Sequence, residues 1–201
     1  VVSNPSFVPV LESHRLDFCC QGRQSLAQAC HTKGVDLAMV LSELLALEGK
    51  PPEKDWTEAP LDELIEHIQT RYHEPLRRDL PGLVEKARKV AQVHGQDAPE
   101  LRKVEELVDT LAQELLHHTE KEDRVLFPWI SELAKGGSRA GKIAVPVAVM
   151  ESEHVEAGAL LEQLRASTGD YALPSGACTT YTLLFTGLES LERELHLHIH
   201  L

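Results

Sequence analysis

Apolar residues recur every three or four positions along four long stretches of the chain, as they do on the buried face of an α-helix. The stretches cover roughly residues 60–94, 98–135, 145–167 and 178–201. Pro75 and Pro81 fall inside the first stretch, and we expect them to bend it. No segment has the convincing pattern of a strand. Four long amphipathic helices with short connections predict an all-α fold, an antiparallel four-helix bundle.

Two shorter helical stretches precede the bundle. QSLAQACHTKG is predicted to form a helix that ends at Gly34, and DLAMVLSELLALEG a second helix that ends at Gly49. The next stretch, KPPEKDWTEAP, is rich in proline and charge, as is typical of a linker. The predicted organisation is a small helical domain at residues 1–50, a linker at 51–59 and the bundle at 60–201.

The composition supports a helical core and argues against two kinds of partner. Only 4% of the residues are aromatic, so leucine, valine, isoleucine and alanine must build most of the core. The formal charge of −12 argues against a nucleic-acid partner, because no basic surface would neutralise the phosphates. The chain has no run of about 18 apolar residues that would form a membrane-spanning helix. We therefore expect neither nucleic acid nor a membrane as a partner.

The four cysteines do not form the pattern of a disulfide framework. Cys19 and Cys20 are adjacent, and neighbouring cysteines rarely bridge because the ring would be strained. The pattern favours a reducing compartment, so we expect a cytoplasmic protein. The same pair lies just before a predicted helix, whose N-terminus lowers the pKa of a thiol. Such thiols could accept a metal ion, nitric oxide or the disulfide of a partner.

Histidine is unusually frequent, and one histidine in each long helix falls on or near the apolar face. In the second helix, His118 and Glu122 continue the stripe that runs through Leu111 and Leu115 to Val125 and Leu126. His154 lies on a stripe formed by Val147, Met150, Ala157, Leu161 and Leu164. His198 continues the stripe formed by Leu184, Leu188, Leu191 and Leu195. His73 lies at the edge of the stripe in the first helix.

A metal site explains this pattern better than four independent coincidences. Taken alone, a His-x-x-x-Glu pair is more often a solvated surface contact, and a lone buried histidine is more often a hydrogen-bonded core residue. Here four helices each present an inward histidine, and one of them adds a carboxylate one turn later. A carboxylate in a core needs a partner of positive charge or a hydrogen-bond donor. Imidazole and carboxylate together suit iron, zinc or manganese, and a bundle core commonly holds two metal ions.

A second arrangement of metal ligands is less favoured. Carboxylate-rich di-iron bundles use Glu-x-x-His motifs, and the chain contains two, Glu114–His117 and Glu151–His154. His117 falls on a polar row, however, and the first helix offers no clear inward glutamate.

Several stretches of the chain resemble a known family. LDFCCQGRQSL, EKDW, RYHEPLR, HHTEKEDRVLFP, VMESEHVEAG and ACTT span nearly the whole chain together. They resemble the Repair of Iron Centres family, the YtfE/ScdA type of hemerythrin-like di-iron proteins. The resemblance implies a hemerythrin-like bundle preceded by a small N-terminal cysteine domain (ScdA_N-like), and a centre of two non-haem iron ions (Fe²⁺ or Fe³⁺) bridged by oxo and carboxylate groups.

The resemblance also implies which residues bind the iron. The ligand pattern of the family is H, HxxxE, H, HxxxE, and it is matched by His73, His118, Glu122, His154 and His198. The second HxxxE motif would place its glutamate directly after Leu201. Oxygen-carrying hemerythrins use an HxxxH motif instead, and the nearest such spacing, His196 and His200, points off the apolar stripe.

Four further residues are implied to take part in the chemistry. Glu114 and Glu153 match acidic residues near the iron centre of the family, where they are expected to line a path for iron or protons. Cys19 and Cys20 match the cysteine pair of its N-terminal domain, which suggests thiol transfer or the docking of a partner. For Glu114 and Glu153, an ordinary solvated helix charge is the alternative.

The function implied by the resemblance is the repair of iron–sulfur clusters damaged by nitrosative or oxidative stress. The expected partners are damaged iron–sulfur proteins, with nitric oxide or oxygen as small ligands, and the family suggests a homodimer. The protein would supply iron, or bind and reduce nitric oxide at two adjacent ferrous ions, or do both. Two alternatives stay open: a module that only senses or binds oxygen or nitric oxide, and a structural bundle without metal.

Overall fold

The computed structural model describes residues 5–16, 24–47, 54, 56–137 and 142–201. Cys19 and Cys20 lie outside the described residues. Within those ranges the chain is helical and contains no strand, which confirms the predicted all-α class. The helices are α1 (Val8–Ser13), α2 (Leu26–Lys33), α3 (Leu37–Ala46), α4 (Leu61–Ile68), α5 (Glu74–His94), α6 (Glu100–Lys121), α7 (Phe127–Ala134), α8 (Ala144–Ser167) and α9 (Thr179–His200).

Four long helices, α5, α6, α8 and α9, form the predicted bundle. Helix α5 packs against α6 and α9, and α6 also packs against α8. Their facing sides bury a core that is mostly leucine, with Leu111, Leu161 and Leu188 among its most enclosed members. A smaller apolar cluster lies beyond the histidines, where Ile68, Leu126, Phe127 and Met150 pack together.

Two π-helical turns interrupt the first and second of the predicted long helices. The first turn, Gln69–His73, joins α4 to α5, and the second turn, Glu122–Leu126, joins α6 to α7. Pro75 and Pro128 then occupy the second positions of α5 and α7. Proline has no N–H to donate to the preceding turn, which makes a local departure from the α-helical pattern less costly. The first π turn ends at His73, just before Pro75, whereas Pro81 lies inside α5, and the bends expected at these two prolines stay predictions.

The π turns change which side chains face the core. A π turn adds a residue to a helical turn and so rotates the residues that follow it. Val125 was predicted to lie on the buried stripe and is exposed, whereas Leu126 is buried. The prediction for Val147 is also wrong. This residue is exposed because it lies near the start of α8, one turn before Met150, the first buried residue of that helix.

A separate apolar cluster holds the N-terminal helices together. Its buried members are Leu11, Leu16, Ala29, Cys30 and Val40. Helix α2 ends at the predicted Gly34, whose φ of +68° is left-handed and suits glycine. Helix α3 ends at Ala46, before the predicted Gly49, which lies outside the described residues. The division of the chain at residues 51–59 stays a prediction.

None of the described helices is both long and apolar enough to cross a membrane.

Replacing Leu188 by alanine is expected to lower the free energy of unfolding by about 2–5 kcal/mol, because the lost methyl groups leave a cavity in the bundle core. Leu188 is 1% exposed, whereas Leu183 on the same helix is 53% exposed. Leu183→Ala is the matched control and should change stability by less than about 0.5 kcal/mol. Chemical denaturation followed by circular dichroism measures both. Equal losses for the two variants would contradict the assigned core face.

Candidate metal centre

Four histidine rings converge between the main core of the bundle and the smaller apolar cluster. They are His73 at the end of the first π turn, His118 on α6, His154 on α8 and His198 on α9. Their Nε2 atoms meet in two pairs. The His73 and His198 nitrogens are 3.1 Å apart, and the His118 and His154 nitrogens are 3.0 Å apart.

The carboxylate of Glu122, the first residue of the second π turn, lies between the two pairs. Its Oε2 atom is 3.1 Å from the Nε2 atom of His73, 3.4 Å from that of His118 and 3.8 Å from that of His198. Two groups of potential metal ligands therefore share one residue. One group is His73, Glu122 and His198, and the other is His118, Glu122 and His154.

The surroundings of Glu122 call for a positive charge. The residue is 6% exposed, and no donor among the described residues reaches its Oε2 atom with hydrogen-bond geometry. Burial opposes ionisation, but the positive charge and hydrogen bonds that His118 and His73 offer when protonated outweigh it and hold the pKa of Glu122 far below its usual range. When the two rings are neutral, another cation has to supply that charge. A buried anionic oxygen without a donor is costly, and a metal ion would satisfy it.

The spacing of the histidine nitrogens also fits metal coordination. Two nitrogens that each lie about 2.1 Å from one ion, at roughly a right angle, are about 3 Å apart. Both pairs have this separation. Imidazole and carboxylate donors suit iron, zinc and manganese, so the residues present fit a site for two transition-metal ions.

Two outer carboxylates orient two of the rings. His73 donates through Nδ1 to Asp123 over 2.9 Å, and His118 donates through Nδ1 to Glu153 over 2.8 Å. An ionised carboxylate can only accept, so the proton of each neutral ring lies on Nδ1. The Nε2 lone pairs are therefore directed toward Glu122 and the paired histidine. This is the usual arrangement around metal-bound histidine.

Cationic side chains hold these two carboxylates. Arg77 pairs with Asp123, and Lys121 pairs with Glu153. Partial burial opposes ionisation, but hydrogen bonds from Gln69, Arg77 and His73 lower the pKa of Asp123. The pKa of Glu153 is lowered in the same way, with Lys121 and His118 outweighing burial.

His118, His154 and His198 have different affinities for protons. Burial lowers the pKa of His154 to about 4 and that of His198 to about 3, and the neighbouring His118 adds to the effect at His154. Burial acts in the same direction on His118, but the carboxylates of Glu122 and Glu153 outweigh it and raise its pKa. His154 and His198 are consequently neutral near pH 7, as metal binding requires.

Two cavities reach the site. One, of about 110 Å³, touches His118, His154 and His198 and is lined by polar side chains that include Glu114, His117, Glu153 and Glu156. The other, of about 170 Å³, reaches Glu122, His154 and His198 and is mostly lined by apolar side chains such as Leu64, Ile65, Phe127 and Ile130. The site thus has a polar side and an apolar side.

The structure brings the five predicted metal ligands together. It places Glu153 against His118, whereas Glu114 is exposed and lines the polar cavity. His117, the histidine of the less favoured arrangement, is exposed. Asp123 was not predicted. The only signal for it was its place directly after Glu122, and on a regular helix that position points away from the core.

The chain is similar to two family models. The model described as the hemerythrin HHE cation binding domain matches residues 64–201. The model described as a domain of unknown function (DUF542) matches residues 1–48.

Similar full-length proteins carry the name iron-sulfur cluster repair protein YtfE. The one from Cronobacter sakazakii is 43% identical over 98% of this chain and 87% of its own length. The one from Edwardsiella ictaluri is 41% identical over the whole of this chain and 89% of its own length. The one from Shigella boydii is 39% identical, with the same coverage.

Metal-free protein, prepared with a chelator, is expected to lose stability as the pH falls from 7 to 5. The unfolded chain takes up protons on His154 and His198 near pH 6.5, whereas burial keeps both rings neutral in the folded state. Where the unfolded state binds more protons than the folded state, the free energy of unfolding falls as the pH decreases. His118 has a raised pKa and opposes the trend by less than either ring contributes, which leaves a net loss of roughly 3 kcal/mol.

Denaturation curves at several pH values measure this loss. His154→Gln, which removes one of the two titrating rings, should flatten the dependence. Stability that is constant or higher at pH 5 in the parent protein would contradict the assignment of neutral buried histidines.

Proposed function

Because the chain belongs to the YtfE family of hemerythrin-type proteins, we propose that it binds two iron ions and repairs damaged iron–sulfur clusters by supplying iron. The observation that carries the proposal is Glu122, a buried carboxylate shared by two histidine pairs. The proposed ligands are His73 and His198 for one ion, His118 and His154 for the other, and Glu122 between them.

The side chains around the ligands would keep the site ready for a metal ion. Asp123 and Glu153 hold the Nδ1 protons of His73 and His118, which leaves both Nε2 atoms free to bind. Two iron ions bound in this way would supply one-electron chemistry and coordination positions for small ligands such as nitric oxide or oxygen. An oxo bridge between them is part of the proposal.

The polar cavity would serve as the exit for iron. Its wall includes Glu114, Glu153 and Glu156, and such carboxylates attract a departing cation. In this proposal Glu153 has two functions, since it also accepts the Nδ1 proton of His118. Glu114, exposed on the same wall, would be the outer residue on this route. The recipient would be an iron–sulfur protein that has lost iron.

A second candidate function is the reduction of nitric oxide. The observation that favours it is the mostly apolar cavity that reaches Glu122, His154 and His198. Nitric oxide and oxygen are small and nearly apolar, so such a cavity suits their approach. A module that only senses or binds these gases would use the same cavity but would not transfer iron to another protein.

The setting of the function is also part of the proposal. The absence of a disulfide-framework pattern is consistent with a reducing cytoplasm. Cys19 and Cys20 are proposed to take part in thiol transfer or partner docking. A homodimer stays a prediction.

The first test is the iron content of anaerobically purified protein. We expect two iron ions per chain, as in other two-metal bundles, and a loss of at least one ion in Glu122→Gln, because the carboxylate between the histidine pairs is removed. Glu120→Gln is the matched control. Glu120 is exposed near the end of α6, just before Glu122, and pairs with Arg124, so its loss should leave the iron content unchanged. Equal iron in all three proteins would contradict the proposed ligands.

The second test separates repair from binding alone. Iron-loaded protein is mixed anaerobically with a cluster-free iron–sulfur protein, sulfide and a thiol reductant. Recovery of the cluster absorbance, faster than with the same amount of Glu122→Gln, supports iron supply. Recovery no faster than with that variant would contradict it. Consumption of nitric oxide by the iron-loaded protein, measured with an electrode, tests the second function independently.

A further inference from the structure

His73 is the most enclosed of the four histidines. It is 0% exposed, and it lines neither of the two cavities that reach the site. Its ring stacks on Phe127, with centroids 5.7 Å apart. The Nδ1 atom of His73 is hydrogen-bonded to Asp123, and this bond orients the ring within its own plane.

Asp123 is in turn fixed from two directions. Its Oδ1 atom accepts a hydrogen bond of 2.9 Å from Nε2 of Gln69, and its Oδ2 atom accepts one from Arg77. Gln69 and His73 are the two ends of the first π turn, and Asp123 is the second residue of the second π turn. The Asp123 carboxylate therefore connects both π turns and follows directly after Glu122.

The other half of the site is held less tightly. Glu153 accepts hydrogen bonds from His118 and Lys121. Among the described residues, no side-chain amide donates to Glu153 as Gln69 does to Asp123. Its side chain is 24% exposed, against 17% for Asp123, and it lines the polar cavity. His154 is only half-buried and touches both cavities. His198 also touches both cavities but is 6% exposed. In the His73–His198 pair one ligand is therefore closed to both cavities, whereas both ligands of the His118–His154 pair line the polar cavity, where solvent and chelators can approach.

We propose that Asp123 is a positioning residue for the metal site. Held by Gln69 and Arg77, it keeps the proton of His73 on Nδ1 and the Nε2 atom turned toward Glu122. It thereby makes the His73–His198 pair the half that retains its metal ion when the His118–His154 pair releases its own. The retention part rests on the proposed function, that is, on the binding of two metal ions.

The loss of the Asp123 carboxylate would act on His73 through the ring proton. Without an acceptor at Nδ1, the neutral ring is free to move its proton to Nε2, the atom that must bind the metal ion. Changes of this kind next to a metal-bound histidine typically weaken metal affinity by about 10–100-fold. The effect should be confined to one half, because the hydrogen bond of Asp123 goes to His73, whereas His118 and His154 bond to Glu153 and to each other.

Four variants test the inference. Asp123→Leu removes both the acceptor and the charge, and Asp123→Asn keeps an acceptor but removes the charge. Glu153→Gln makes the equivalent change in the other half. Asp79→Asn is the control, since Asp79 is an exposed carboxylate on α5 that pairs with Arg78. Thermal unfolding of each variant identifies any that fails to fold. If Asp123→Leu fails to fold, Asp123→Asn, which retains the shape of the side chain, still tests the inference.

The first readout is the position of the ring proton. Long-range ¹H–¹⁵N spectra of metal-free protein distinguish Nδ1–H from Nε2–H imidazole, and the His73 signals are assigned by their loss in His73→Gln. The parent and Asp79→Asn should give the Nδ1–H form. Asp123→Leu should shift His73 toward the Nε2–H form, with a smaller shift in Asp123→Asn. An unchanged His73 in both Asp123 variants would overturn the positioning role, whether or not iron binds.

The second readout is the release of Fe²⁺ to a coloured chelator under anaerobic conditions. The parent should release its two ions in a fast and a slow phase. Asp123 variants should speed the slow phase by about 10–100-fold and leave the fast phase unchanged, whereas Glu153→Gln should change only the fast phase. Equal acceleration of both phases, or none, in the Asp123 variants would overturn the assignment of the retained half. If the parent protein binds no iron, both the proposed function and the assignment of the retained half are contradicted. The positioning role of Asp123 is then decided by the ring proton of His73 alone.

Discussion

The Glu122 carboxylate, buried among four imidazole rings, is the interaction on which the arrangement of the site depends. An ionised carboxylate in a helical core is stable only if positive charge or hydrogen-bond donors surround it. The Nε2 atoms that face Glu122 belong to rings whose protons are held elsewhere or whose pKa values are low. The Glu122 carboxylate therefore lacks a balancing positive charge in the direction of each histidine pair. A metal ion bound by each pair would supply that charge.

Two π turns in the backbone place His73 and Glu122 in this site. The first brings His73 inward at its last residue, and the second begins with Glu122 and Asp123. Each is followed by a helix with proline at its second position. π turns are uncommon and often lie at functional sites. Their presence at His73 and at Glu122 is therefore consistent with a functional site in which the regular helix is locally distorted. The long leucine core of α5, α6, α8 and α9 supplies the stability that this irregularity costs.

Helical periodicity was sufficient to predict most of the site. His118, Glu122, His154 and His198 all lie in or directly after regular helix, so a period of 3.6 residues placed them on the buried stripes. His73 was found only at the edge of its stripe, because the π turn that rotates it inward cannot be read from a regular period. The same limitation explains why Val125 was misplaced. Asp123 was missed because a regular helix turns it about 100° away from Glu122.

Contacts between distant segments were beyond the reach of the sequence. The role of Glu153 as the partner of His118 depends on how α8 lies against α6, and the polar and apolar cavities depend on the packing of all four long helices. The family resemblance pointed to Glu153 but not to the atom that it contacts. Helices α2 and α3 were predicted from the glycines that follow them, which are local signals, and Gly34 does end α2. Helix α1 was not predicted.

A crystal structure of iron-loaded protein, with anomalous diffraction recorded on both sides of the iron absorption edge, tests the central claim most directly. Two anomalous peaks should flank the Glu122 carboxylate, about 3.5–4 Å apart, one beside His73 and His198 and the other beside His118 and His154. A single peak bound by only one histidine pair, or peaks at other residues with Glu122 unbound, would contradict the account.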